Sequence, residues 1–277
     1  RRLQYKPTGG AREQTHYLAR TFENAVGHAH GVYQVCDERV PKPPDLIVGH
    51  SGFGSTIFLA DLWPGVPIIN YCEFFYHGRG SDMDFRPGFP PTEIDFLRAR
   101  ARNAMLLLDL NTCTAAYSPT RWQRSRFPAE FQHKIEVIFD GVDRSVWRRN
   151  PKAPRSFAGR DIPAGIRIVT YVARRLERMR GFDIFMKVAA RIANARKDVL
   201  FVVVGEDRVC YGGDESHIRG LTFKEYVLGG QNYDLSRFIF PGRIPPGQLV
   251  DLLSISDLHI YLTAPFVLSW SLMDALS

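Results

Sequence analysis

Two α/β domains with parallel sheets are predicted by three observations. Short Val/Ile-rich runs alternate with helix-length stretches; the rhythm occurs twice; and a proline-bearing break separates the two blocks. Continuous apolar strands of this kind imply sheets covered by helices on both faces. The chain has 277 residues, enough for about two domains of ~100–200 residues.

In the first block, Arg12 to Cys36 reads as an amphipathic helix, with Leu18, Phe22, Ala25, Val26 and Val32 near helical spacing. Strands are expected at Asp45–Gly49, Val66–Cys72, Thr112–Tyr117 and Ile135–Phe139, because β-branched residues fill these short runs. Helices are expected near Thr56–Leu62 and Thr92–Leu110, the latter opened by a capping pair, Thr92 and Asp95. The break at Asn150-Pro151-Lys152-Ala153-Pro154-Arg155 reads as a linker. This divides the chain into domains 1–150 and 151–277. In the second block, strands are expected at Ile166–Val172, Val199–Val204, Phe238–Phe240 and Leu258–Leu262. Helices are expected at Phe182–Arg196, Pro246–Ser254 and Leu268–Leu276. The first block opens on a helix and the second stops inside one, so a chain truncated at both ends is expected.

Composition narrows the function classes. The chain is 45% hydrophobic and 23% charged, ordinary for a globular protein. No apolar run approaches the ~20 residues of a membrane-spanning helix. Cys36, Cys72, Cys113 and Cys210 are scattered without a CxxC pair. Buried reduced thiols are therefore expected, rather than a metal site or a disulfide framework, and a cytoplasmic setting fits. The net charge of +7 is compatible with nucleic acid, an anionic membrane face or a phosphorylated small molecule. Basic residues are dispersed and aromatics form no repeated stacking platform, so nucleic acid ranks last. Peripheral association with the inner face of a membrane stays open.

Ligands of open parallel sheets bind beyond the carboxyl ends of the strands. Those positions hold Gly49-His50-Ser51-Gly52-Phe53-Gly54, then Glu73, then Arg174 and Arg175, then Gly205-Glu206-Asp207-Arg208, then Pro241-Gly242-Arg243. Arg175 and Arg180 are guanidinium groups between a strand and a helix beginning near Gly181. Such forks suit phosphate oxygens, and a helix N-terminus adds N–H donors. From spacing alone, a phosphate site and a solvated loop both fit. Gly52 and Gly54 permit close backbone approach to a ligand, or a turn. Glu73, among Tyr71, Phe74, Phe75 and Tyr76, is expected to be buried with a raised pKa, as a proton acceptor, as a carboxylate that stabilises developing positive charge, or as a structural hydrogen-bond partner. The breaker-rich stretch from His77 to Pro91 reads as a functional loop beside Glu73 or as a disordered one.

Tyr171-Val172-Ala173-Arg174-Arg175-Leu176-Glu177-Arg178-Met179-Arg180-Gly181 resembles the "GRL…KG" segment of group-1 retaining glycosyltransferases, family 4 type, of the GT-B fold, as found in bacteria. Lys134-Ile135-Glu136-Val137-Ile138-Phe139-Asp140-Gly141-Val142-Asp143 resembles that family's "KI.VIPNGVD". Phe240-Pro241-Gly242-Arg243-Ile244, with Leu249–Leu253 and Ser256-Asp257-Leu258-His259-Ile260, resembles its nucleobase-side strand, helix and strand. The likeness runs from about Asp45 to the end and keeps its order. It implies two Rossmann-like domains facing across a cleft, the first acceptor-side and the second donor-side. It implies a hexosyltransferase moving a sugar from a nucleoside-diphosphate sugar to a hydroxyl, with retention, in glycan or polysaccharide biosynthesis. The acceptor is a glycan, a lipid-linked sugar or a small molecule. No metal and no cofactor beyond the donor is implied.

In that reading Arg175 and Arg180 hold the diphosphate, and replacing either is expected to leave folding stability nearly unchanged. Gly181, Gly205, Glu206, Arg208, Gly242, Arg243, Ile244, Ser269 and Asp274 complete the donor side. His50, Gly52, Gly54 and Glu73 form the acceptor side. Asp274 matches the second acid of the family's acidic pair, whereas Phe266 stands where the first acid is usual. A sugar-nucleotide epimerase of the same fold, a glycoside hydrolase and a non-catalytic nucleotide-sugar binding module are the alternatives.

Overall fold

The computed structural model describes residues 2–208, 213–214 and 217–277. Cys210 lies outside the described residues. The chain forms two compact units: residues 1–140 with 266–268, and residues 141–265 with 269–277.

The first unit runs α1 (Arg20–Arg39), β1 (Ile47–His50), α2 (Leu59–Leu62), β2 (Ile68–Tyr71), α3 (Glu93–Thr112), β3 (Ala115–Ser118), α4 (Arg121–Ser125) and β4 (Ile135–Val137). Its four strands form one parallel sheet in the order β1-β2-β3-β4, with Ile47 opposite Ile68, Ile69 opposite Ala115 and Ala116 opposite Ile135. Ile68, Ala116 and Ile135 meet Met105, Leu106 and Leu110 of α3 in the core, together with Phe127. Val48, on the edge strand β1, is 62% exposed. The first helix begins at Arg20, not Arg12. Residues 12–19 are turns instead, in which Thr15 Oγ1 accepts the Arg12 N–H at 3.0 Å.

Helix α3 starts as its capping pair predicts. The Asp95 carboxylate accepts the Thr92 backbone N–H at 2.9 Å and its hydroxyl at 2.7 Å, satisfying a donor the helix leaves unpaired. The buried face of α3 also carries two polar residues, Asn103 and Asp109. Asn103 holds the Tyr76 backbone from both sides, accepting its N–H at 2.9 Å and donating to its carbonyl at 2.8 Å. Asp109 holds the loop after β1, as described below. One helix therefore fixes the segments that follow two neighbouring strands.

The second unit opens with a two-residue hairpin, β5 (Ser156–Phe157) and β6 (Arg160–Asp161), then β7 (Arg167–Arg175), α5 (Phe182–Ala195), β8 (Val199–Glu206), α6 (Phe223–Gly229), β9 (Phe238–Gly242), α7 (Pro246–Ile255), β10 (Leu258–His259) and α8 (Trp270–Leu276). The main sheet is parallel, in the order β10-β7-β8-β9. β8 is central, and seven of its eight residues are buried, as the unbroken Val/Phe run requires. Helix α5 lays Phe182, Phe185, Met186, Ala189 and Ala193 into the core at helical spacing. The segment read as a linker is tied down. Asn150 donates its N–H to Ser254 Oγ at 2.8 Å and its side-chain amide to Asp251 at 2.7 Å, joining the second unit. β10 is also shorter than expected, ending at His259 rather than Leu262.

Of the cysteines, Cys72 and Cys113 are buried free thiols, whereas Cys36 on α1 is only partly buried. Burial pushes the Cys113 and Cys36 thiols above their usual range. Among the described residues, no helix is long and apolar enough to cross a membrane.

Candidate functional site

In the first unit, β1 and β2 bring His50 and Glu73 together. His50 ends β1 and pairs in register with Tyr71, the last residue of β2. Glu73 follows two residues later, and its Oε2 lies 4.0 Å from His50 Nε2. The His50 Nδ1 lies 2.8 Å from the Ser51 carbonyl oxygen. A carbonyl only accepts, so Nδ1 carries a proton and Nε2 of the neutral ring bears a lone pair. Two acceptors thus face one another at a separation too long for a direct bond and short enough to share one hydroxyl.

Glu73 is not buried as its aromatic neighbours suggested: its side chain is 40% exposed. Phe74 and Phe75 take the buried positions instead. The Glu73 backbone is fixed by Gln123 of α4, whose amide donates to the Glu73 carbonyl at 2.8 Å. The Gln123 carbonyl oxygen accepts the Leu268 N–H at 3.4 Å and the Thr120 hydroxyl at 3.0 Å. The His50 ring packs edge-on against Phe53 and Tyr71. The Tyr71 hydroxyl donates to Asp140 at 3.2 Å, and burial together with the Asp140 charge pushes its pKa well up, so it remains a phenol.

Gly52 and Gly54 both have positive φ, +94° and +82°. A Cβ at Gly54 would run into the Ala25 carbonyl of α1, so this glycine serves helix packing. The Gly52 N–H is committed to Asp109 at 3.1 Å. The stretch from His77 to Pro91 is a folded loop: Asp84 accepts the N–H groups of Gly80 and Ser81 at 2.8 and 2.9 Å, and these bonds hold its carboxyl below the usual range. Phe266 is buried against Phe74, with ring centroids 4.3 Å apart, and belongs to the first unit. The position that resembles an acid in relatives is here a core aromatic.

In the second unit, β7 does not stop before the arginines. It continues through Arg175, which pairs in register with Glu206 across a bulge after Val172. Arg175 Nε lies 3.4 Å from Glu206 Oε2, and Arg243 Nη1 lies 3.8 Å from Glu206 Oε1. Arg175, Glu206 and Arg243 therefore form a row across the carboxyl edge of the adjacent strands β7, β8 and β9. Gly205 precedes this row and packs on the Ala173 carbonyl. Gly242 ends β9, Ile244 packs into the core, and the Arg208 side chain is exposed.

Arg180 does not extend from a solvated loop. Its side chain is 9% exposed and pairs with Glu177, 0% exposed, at 3.7 Å, one 3-10 turn earlier. Its backbone carbonyl accepts the Tyr171 hydroxyl at 2.9 Å, and Nη1 lies 3.5 Å from Thr263 Oγ1. Arg178 is likewise bound to buried Asp214 at 3.0 Å. Gly181 turns the chain into α5 with φ +72°, and a Cβ there would fall 2.7 Å from the Leu262 carbonyl oxygen. The sequence signal of this pair is the i,i+3 spacing of Glu177 and Arg180, which places opposite charges on one turn.

Ser269 and Asp274 are not gathered into that row. The Ser269 hydroxyl bonds Ser271 at 2.8 Å. Asp274 lines a pocket of about 390 Å³ with Trp147, Arg148, Arg149, Ser254 and Ser256, before the start of β10. Burial pushes its carboxyl up from 3.8 to about 6. Between those two values the folded chain holds a proton that the unfolded chain has lost, so stability falls as pH rises through that window. Asp274→Asn is expected to remove this slope. Urea midpoints at pH 4 and pH 7 test it; parallel pH dependence in both proteins refutes it.

Residues 1–146 match the family described as Glycosyl transferase family 4 group, and the chain belongs to that family. No curated protein matches the sequence. Solved structures match across nearly all of it. Sucrose-phosphate synthase from Thermosynechococcus elongatus is 16% identical with a TM-score of 0.64, covering 92% of this chain and 59% of its own. Anabaena HepE, in complex with UDP and glucose, is 16% identical with a TM-score of 0.57, covering 90% and 59%. WaaG, a glycosyltransferase of lipopolysaccharide biosynthesis, is 16% identical with a TM-score of 0.61, covering 95% and 64%. The fold is that of GT-B glycosyltransferases, and the chain spans about six tenths of the length of these structures.

Proposed function

We propose that this chain carries the acceptor-side and donor-side elements of a retaining glycosyltransferase that uses a nucleoside-diphosphate sugar. The observation that carries the reading is the row of Arg175, Glu206 and Arg243 at the carboxyl edge of three adjacent strands. A guanidinium presents its N–H donors in a rigid fork that matches phosphate oxygens, and the Arg243 side chain is 83% exposed. Two such cations at one strand edge suit a diphosphate, whose negative charge grows as the bond to the sugar breaks.

In the transfer, the bond between the anomeric carbon and the phosphate oxygen breaks and the nucleoside diphosphate leaves with the electron pair. The acceptor oxygen bonds to the anomeric carbon, and its proton passes to the Glu73 carboxylate beside His50 Nε2. Retention and a hexose donor are taken from the family, and a glycan, lipid-linked or small hydroxyl acceptor suits the exposure of Glu73. The donor supplies the only group consumed besides the acceptor. A non-catalytic nucleotide-sugar binding module is the second reading, favoured by Phe266, which spends a family acid position on packing.

Calorimetric titration of UDP, GDP and ADP into the full-length protein tests the donor site. Arg175→Ala is expected to weaken the best of the three about ten- to hundredfold, from ~1.5–3 kcal/mol per charge-assisted bond. Equal affinity in wild type and variant places the phosphates elsewhere. Binding in wild type without sugar transfer to any acceptor selects the binding module.

A further inference from the structure

Asp109, fully buried on α3, collects the loop that follows β1. Its Oδ2 accepts the Ser51 hydroxyl at 3.0 Å and the Gly52 N–H at 3.1 Å, and its Oδ1 accepts the Thr56 hydroxyl at 2.9 Å. The Thr56 hydroxyl also lies 3.1 Å from Asn70 Oδ1 on β2. Ser51 is the hinge of this arrangement. Its N–H donates to the Tyr71 carbonyl at 3.0 Å, its side chain donates to Asp109, and its carbonyl accepts from His50 Nδ1 at 2.8 Å. A single peptide group therefore sets the His50 tautomer, and Asp109 holds that peptide group in place.

Burying a carboxylate is costly unless its lone pairs are filled, and a helix–loop contact could have been made with apolar side chains instead. We propose that Asp109 is a positioning residue: through Ser51 it orients the His50 ring so that Nε2, not Nδ1, faces Glu73. The proposal rests on the acceptor-side reading given above. The groups around the His50 ring are Glu73 beyond β2, Tyr71 on β2 with Asp140 behind it, and Asp109 on α3. Asp109 does not touch the acceptor; it acts through the loop.

The test combines ring-nitrogen NMR of His50 with transfer kinetics of the full-length protein. Wild type is expected to show the Nδ1–H tautomer. Asp109→Ala is expected to mix the tautomers and to lower kcat about tenfold, with the donor KM within twofold. Asp109→Asn keeps the shape: its carbonyl can accept from Ser51 and Gly52, while its NH2 donates to Thr56 and the Thr56 hydroxyl turns to Asn70. It is expected to restore the wild-type tautomer and most of the kcat. An unchanged tautomer and kcat in a folded Asp109→Ala protein overturns the proposal. So does an Asp109→Asn protein as impaired as the alanine variant, which would make charge the cause. If Asp109→Ala does not fold, Ser51→Ala removes one of the two bonds by which Asp109 holds this peptide group and leaves the Gly52 N–H bond; a smaller tautomer shift in the same direction supports the proposal and no shift overturns it. A wild type that transfers no sugar removes the function reading alone, because the tautomer measurement still decides the role of Asp109.

Discussion

Arg180→Ala is expected to destabilise the second unit by ~3–5 kcal/mol, the loss that follows when one partner of a buried ion pair is removed and the other charge stays behind. The charge left behind is Glu177, whose side chain is 0% exposed. It sits on the turn that leads from β7 into α5, where Tyr171 and Gly181 also converge. This reverses the expectation that the arginine could be removed without structural consequence. Arg180→Lys keeps the charge and loses the planar fork, so a smaller loss is expected. Removing both charges, as Glu177→Gln with Arg180→Met, is expected to recover most of the stability. Urea unfolding of the single and double variants forms a cycle that isolates the pair. A wild-type midpoint for Arg180→Ala would mean that Glu177 finds enough other partners. Arg175 differs, since its partner Glu206 is 30% exposed and solvent can replace the contact. For this reason nucleotide affinity is read most cleanly from Arg175, and any loss of affinity in Arg180→Ala has to be corrected for unfolding.

The strands are legible because β8 and β7 carry apolar stretches rich in Val, and β2 opens on two isoleucines. What charge obscured was where β7 stops. Arg174 and Arg175 look like a loop, yet a bulge after Val172 lets the backbone go on pairing with β8. The hairpin at 156–161 leaves no trace in the sequence because two-residue strands have no alternation to read, and its turn places Ala158 at φ +50°. The rule that ligands gather beyond strand ends points to Arg175, Glu206 and Arg243, but it is silent on which side chains are already engaged. Glu177 and Arg180 showed it locally, in their i,i+3 spacing. Asp109 did not: its donors lie 53 to 58 positions away, and only the folded sheet brings them to α3. Long-range polar contacts of this kind leave no periodic trace in a sequence.

Glu73→Gln is expected to lower kcat for sugar transfer by about 10²–10⁴-fold, the usual contribution of a positioned acid–base group, with donor affinity nearly unchanged. The amide is isosteric and the backbone anchor, the Gln123 amide on the Glu73 carbonyl, is untouched. What disappears is the ability to take the acceptor proton. The neighbouring His50 offers a lone pair at Nε2, 4.0 Å away, and so supplies the internal control. If Glu73 takes the proton, His50→Ala costs less than Glu73→Gln, and the double variant costs little more than Glu73→Gln alone. If His50 takes it, the order is reversed. Donor affinity is measured in parallel by calorimetry, because Glu73 lies in the first unit and Arg175 in the second. Loss of both turnover and donor binding in Glu73→Gln would point to disturbed folding. Unchanged turnover would reduce Glu73 to an exposed residue at a strand end, and the pairing of two acceptors at 4.0 Å would then have no part in the chemistry.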